Sequence, residues 1–207
     1  MLVIQNLTKQ YKPGQAVFSD INFRFEEGKC IGLEGPNGSG KTTFLRICSI
    51  NSFPTSGEVL FRGMDIHESP GKYLSHVGLV HDEESLPNYL TAEELLEWIL
   101  RQRKIWSKES PGAIESMLET LELEAGDELI GTYSTGMKKK TQIAAAFIVE
   151  PEVLILDEPF RGLDQSSRKK VIELLRHAKS KNTLILLASH SEISGSEFFD
   201  EVIRFPI

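Results

Sequence analysis

One short segment restricts this chain more than any other: "GPNGSGKTT", Gly35 to Thr43, in which Gly35–Thr42 fits the spacing GxxxxGK[ST]. It lies between "CIGLE", which reads as a strand, and "KTTFLRICSI", which reads as a helix. Gly35, Gly38 and Gly40 let the backbone wrap closely, so that successive N–H groups converge on phosphate oxygens. The positive end of the following helix favours the same charge. Lys41 is placed to reach the β- and γ-phosphates of a nucleotide, and the Thr42 hydroxyl to ligate Mg²⁺. The candidate nucleotide contacts are therefore Gly35, Pro36, Asn37, Gly38, Ser39, Gly40, Lys41, Thr42 and Thr43.

"VLILDEP" is the second half of such a site. Four apolar residues bury a strand, and Asp157 emerges at its carboxyl end, where open α/β sheets bind ligands. Asp157 is positioned to hold Mg²⁺ through water, and Glu158 beside it to polarise an attacking water.

Between these halves the texture changes. Strands read at "INFRF", "CIGLE", "GEVLF", "HVGLV", "VLILD" and "TLILLAS", and a helix from about Gln165 to Ser180. Near Leu86 the pattern turns helical: Thr91 and Glu94 form a capping box ahead of "TAEELLEWILRQRKI", Pro111 opens "PGAIESMLETLEL", and a third helix follows Gly136. Apolar strands alternating with helices predict a mostly parallel sheet covered on both faces. The expected division is a core of residues 1–85 and 149–207 with a helical insertion over 86–148, all within one domain of 207 residues.

Composition narrows the function. A net charge of −7 gives no broad basic face, so no nucleic-acid partner is expected. Cys30 and Cys48 form no CxxC pair and read as buried thiols of a reducing compartment. No segment approaches the ~20 apolar residues that span a bilayer, and "MLVIQNLTKQ" shows no secretory signal, which predicts a cytoplasmic location unless another subunit carries the chain to a membrane. One local feature resists this acidic balance. In "YSTGMKKK", Lys138, Lys139 and Lys140 crowd the start of a helix, where the peptide dipoles are already positive. Either the lysines fan into solvent, or an anion belongs there.

With these motifs in this order, the chain resembles the ATP-binding subunits of ABC transporters from Leu2 to about Phe205. "YSTGM" resembles the family's LSGGQ signature, "GLD" at Gly162–Asp164 the loop after the catalytic glutamate, His190 the switch histidine, and Tyr11 the aromatic that stacks on adenine. The resemblance implies an α/β P-loop NTPase of ABC ATPase type, with a mostly parallel core sheet, a small antiparallel β subdomain and an inserted helical subdomain. It implies a head-to-tail homodimer around two MgATP, in which Ser134, Thr135 and Gly136 meet the partner's γ-phosphate; that is the anion the helix start awaits. Glu158, Lys41 and His190 would be catalytic, and Asp164 either bridges the subunits or is structural. The partners implied are integral-membrane subunits, which would hold the chain at the inner face of the cell membrane.

Three positions depart from the family pattern. Asp82, or Glu83 if the register slips by one, stands where the family has a glutamine that senses γ-phosphate and Mg²⁺. Thr135 replaces a glycine and Met137 a glutamine. The variant signature, and a chain that stops soon after "FFDEVIRF", favour an exporter. Trp98 and Trp106 read as core residues that could also line a groove for a membrane-subunit helix. The alternatives are a soluble ATPase of this family acting on DNA or ribosomes, and a non-hydrolysing ATP-binding regulator.

Overall fold

The structure is a computed structural model that describes residues 1–82, 86–124, 126–189 and 198–207. Strands β1 (Leu2–Lys12) and β2 (Gln15–Phe25) pair through a two-residue turn in which Gly14 takes φ +78°. Then come β3 (Cys30–Glu34), α1 (Lys41–Cys48), β4 (Ser56–Phe61), β5 (Met64–Asp65), α2 (Pro70–Leu74) and β6 (Val77–Val80). The helices α3 (Ala92–Gln102), α4 (Ser110–Thr120) and α5 (Thr135–Phe147) follow, with a 3₁₀ turn at Ile130–Thr132. β7 (Val153–Asp157), α6 (Gln165–Ser180), β8 (Leu184–Ala188) and β9 (Glu201–Arg204) complete the described elements.

Two sheets result. β6-β7-β8-β3-β9 is parallel throughout, whereas β2-β1-β4-β5 is antiparallel. "GEVLF" and "HVGLV" thus belong to different sheets, which periodicity alone does not tell. In the parallel sheet, alternate residues feed opposite cores. Val153 and Ile155 pack with β1, β2 and α1, while Leu154 and Leu156 pack with α5 and α6. A strand buried on both faces must be apolar at every position, hence the unbroken "VLIL".

Phe44 of α1 is fully buried between the sheets, its ring within 6.5 Å of Phe18, Phe23, Phe25 and Phe205. The helix that follows the glycine loop is thereby fixed on its inner side. On the other face α5 lies close against β6: a Cβ on Gly78 would stand 2.2 Å from the Ala146 carbonyl oxygen.

Thr91 and Glu94 form the capping box that the sequence announces, with bonds of 3.2 and 2.9 Å. A third, smaller core of Ala92, Leu95, Leu123, Ile130 and Tyr133 holds this helical region. Trp98 is corrected from core to surface: it is 56% exposed on α3, while Trp106 packs against the second core beneath the Arg101 guanidinium. Cys30 and Cys48 are buried, and burial pushes the Cys30 thiol up to about 12.

Asp200 ties β9 to its neighbours, accepting from the Cys30 N–H at 2.8 Å and pairing with Lys179 at 2.8 Å. Burial opposes its ionisation, but Lys179, the Cys30 N–H and Lys29 together hold its carboxyl below the ordinary range. A depressed carboxylate contributes stability above its unfolded pKa of about 3.9 and loses it as pH falls through the folded value. Asp200→Asn is therefore expected to melt earlier than the unsubstituted chain at pH 7 and to converge with it near the acid limit in thermal scans. Phe44→Ala should cost about 3–5 kcal/mol in denaturant titration, whereas Trp98→Ala should stay within about 0.5 kcal/mol.

Candidate nucleotide site

The loop between β3 and α1 is shaped by its glycines. Gly35 takes φ +147°, and a Cβ there would lie 2.5 Å from the Phe205 carbonyl oxygen. Gly40 caps α1 at φ +112° and provides no side-chain cap, so the helix's first N–H groups keep their binding capacity for something else. Lys41 is 5% exposed and folds back over the loop, its Nζ donating to the carbonyls of Gly35 (2.7 Å) and Pro36 (3.0 Å). Burial pulls its ammonium down, while the Glu158 and Asp157 carboxylates hold it up. The Ser39 hydroxyl is buried and finds no hydrogen-bond partner among the described residues. A buried hydroxyl without a partner, an uncapped helix start and a neutral-backbone cage around one cation together suit a phosphate chain.

Beside the loop opens a cleft of about 610 Å³, lined by Tyr11, Gln15, Val17, Asn37, Ser39 and others. Tyr11 is 63% exposed, its hydroxyl 3.4 Å from Thr43 Oγ1 and its ring under the Lys9 ammonium at 4.8 Å. An open aromatic face next to a phosphate cradle fits a nucleoside, and the volume lies in the usual range for small-molecule sites.

The acids converge from the neighbouring strands. Asp157, 7% exposed at the end of β7, bonds the Thr42 side chain. Burial pushes its carboxyl up; the Thr42 bond lowers it and the Asp82 charge raises it again. Asp82 follows β6 by two residues and pairs with Arg161 at 2.7 Å. Thr42, Asp157 and Asp82 thus share one corner. No group of three or more His, Cys, Asp or Glu forms a metal cage among the described residues. Thr42, Asp157 and Asp82 offer oxygen donors alone, the chemistry that suits a hard cation such as Mg²⁺. Glu158 adopts φ +50°, a left-handed conformation rare for a side chain of this kind and enriched where function demands it. Its N–H donates to the Ala188 carbonyl at 2.9 Å, which fixes it to β8. His190 and Glu83 lie outside the described residues.

The signature segment forms a second cluster. Ser134 caps α5, accepting from the Met137 N–H at 3.2 Å, so the helix begins at Thr135, just before the Gly136 that the sequence suggests. Ser134 and Thr135 are exposed. Gly162 packs on them: its carbonyl would lie 3.0 Å from a Cβ on Gly136. Asp164 caps α6 through the Ser167 N–H at 2.7 Å, and that bond holds its carboxyl low. The three lysines differ. Lys140 donates to the Glu122 carbonyl, but Lys139 is 1% exposed, its Nζ 2.8 Å from the His81 carbonyl. Lys139, expected from the sequence to fan into solvent or face an anion, is corrected to an interior residue bonded to a backbone carbonyl, and Arg161 is not a sequence candidate. Helical spacing marks Lys139 in retrospect, four residues before the buried Ile143; no sequence signal marks Arg161.

The chain is similar to known proteins. Residues 18–161 match the ABC transporter family. The chain is 33% identical over 198 residues to ABC transporter A family member 12 of Arabidopsis thaliana, covering 92% of this chain and 22% of that protein. It is 30% identical over 207 residues to the doxorubicin resistance ATP-binding protein DrrA of Mycobacterium tuberculosis, covering 98% of this chain and 62% of DrrA. The Bacillus subtilis ATP-binding protein YxlF is 33% identical over 204 residues, covering 98% and 67%. The chain thus spans about a fifth to two thirds of the length of these relatives. Among solved structures, an ATP-binding subunit of an ABC transporter superposes with TM-score 0.91 at 27% identity, covering 99% of this chain and 85% of the other. The cassette MJ0796, captured as a dimer in a post-hydrolysis state with ADP and Pi, gives 0.87 at 25%, covering 99% and 94%. By sequence and fold, the chain belongs to the ABC transporter family.

Proposed function

We propose that this chain binds and hydrolyses ATP as half of a homodimer and powers transport, in the export direction, by separate membrane subunits. The observation that carries the reading is the convergence of the Lys41 loop with Asp157 and with Glu158 in its left-handed conformation. Lys41, caged by two carbonyls, has a short reorientation to make toward β- and γ-phosphate oxygens, which would replace those carbonyls as partners. Ser39 and the first amides of α1 take the remaining oxygens, and Tyr11 stacks on the base. Thr42, Asp157 and Asp82 would hold Mg²⁺, which when bound neutralises charge on the phosphate oxygens. Glu158 accepts a proton from water as the water oxygen bonds to the γ-phosphorus and the bond to the ADP oxygen breaks. His190 is assigned the γ-phosphate contact by resemblance alone.

Ser134, Thr135 and Gly136 act on a second copy's nucleotide. The exposure of Ser134 and Thr135 at an α5 start free of acidic side chains supports this role, as does the dimeric state of MJ0796. Membrane subunits would dock on the helical side. There the bonds Gly131 N–H to Asn88 and Ile130 N–H to Leu90 bring two segments together, with Tyr89 and Leu129 standing 76% and 46% exposed. None of the described helices is long and apolar enough to cross a membrane. The kinship with DrrA and with the A family members supports transport, and the variant signature supports export.

Glu158→Gln should bind ATP like the unsubstituted chain while phosphate release falls about 10²–10⁴-fold. In size-exclusion chromatography it should run as a dimer with ATP and as a monomer without it. A monomer under both conditions would overturn the shared-nucleotide arrangement.

A further inference from the structure

We propose that Lys139 is a positioning residue that joins the signature helix to the Mg²⁺ side of the site within one chain. The observation is a whole ammonium in the interior: Lys139 is 1% exposed, and its Nζ donates to the His81 carbonyl at 2.8 Å. Burying a cation is costly, and an apolar side chain of similar volume is often the more stable occupant of such a place. Packing alone therefore does not account for a lysine here; its directed bonds, the one to the His81 carbonyl among them, do.

That carbonyl belongs to the residue immediately before Asp82. The His81 ring is held separately, its Nε2 lying 3.1 Å from Asn51 Nδ2 beyond the end of α1. The backbone that carries Asp82 is thus fixed from α5 on one side and from the α1 region on the other. Between these holds, the Asp82 carboxylate has two directions: the Asp157 corner, whose charge it feels, and the Arg161 guanidinium at 2.7 Å. Lys139 sits three residues past Gly136, about 4.5 Å of helix rise. Within that single turn α5 touches the Gly162 loop at its start and the Asp82 backbone through Lys139. A shift of the signature helix against β6 would thus reach the backbone before Asp82 through one side chain. This deepens the proposed function, since it rests on Asp82 belonging to the Mg²⁺ site.

The test is calorimetric ATP binding by the full chain, with Mg²⁺ and with EDTA, for Lys139→Met, Asp82→Ala and the pair, alongside thermal melting. Removing an outer partner of a metal site typically weakens it about 10-fold or more. Lys139→Met should lose about 10-fold in MgATP affinity and none in EDTA, Asp82→Ala should do the same, and the double variant should be no worse than either. Equal losses with and without Mg²⁺, or losses that multiply in the double variant, overturn the coupling. If Lys139→Met does not fold, Lys139→Gln, which keeps a donor of shorter reach, reads the same ratio, and a ratio equal to that of the unsubstituted chain overturns it. Asp82→Ala alone reads the underlying assignment. If it leaves the Mg²⁺ ratio unchanged, Asp82 is not at the metal and both ideas fall; if it lowers the ratio while the Lys139 variants do not, only the Lys139 coupling falls.

Discussion

A glycine loop that offers its amides to an anion cannot be stiffened from within, because the same freedom that shapes it would let it collapse. Its rigidity is borrowed from α1, and α1 borrows from Phe44. The ring is enclosed by aromatic side chains from β2 and from the segment after β9, so both sheets grip one side chain. The cost of cavities in such a core makes displacement of the helix expensive. Every other part of the site is measured against this anchor: Lys41 starts the helix, Thr42 reaches Asp157 from it, and Thr43 meets Tyr11.

The acidic corner shows how neighbouring carboxylates come to differ in their surroundings. Asp157 is deep, bonded to a hydroxyl and pushed toward protonation by burial. Glu158, the next residue, turns through a left-handed conformation and is bound by its amide to β8. One backbone reversal thus sends adjacent carboxylates into different surroundings, the first buried and the second half-buried.

Much of this was legible in the residues themselves. The Gly35–Thr42 spacing, the "VLILD" run and the Thr91–Glu94 box each encode a local geometry, and local geometry is what periodicity and capping report. Strand membership was not: "GEVLF" and "HVGLV" have similar apolar character, and only long-range pairing assigns them to separate sheets. Trp98 misled because size suggests burial, yet α3 turns it outward. Lys139 was hidden by its neighbours, since three consecutive lysines look alike until the helix is given a phase. Asp82 could be placed after β6, but its pairing with Arg161, 79 positions away in the chain, has no local signature.

Asp164 bears on how neighbouring molecules could sense each other. Its carboxylate already holds the first turn of α6 through the Ser167 amide, and the Gly162 backbone just before it rests on the start of α5. The Ser167 amide occupies only one of the two carboxylate oxygens, which leaves acceptor capacity on the same side chain. A donor from a neighbouring molecule could therefore share Asp164 while the first turn of α6 stays wound, so one side chain can serve the fold and an outside contact together.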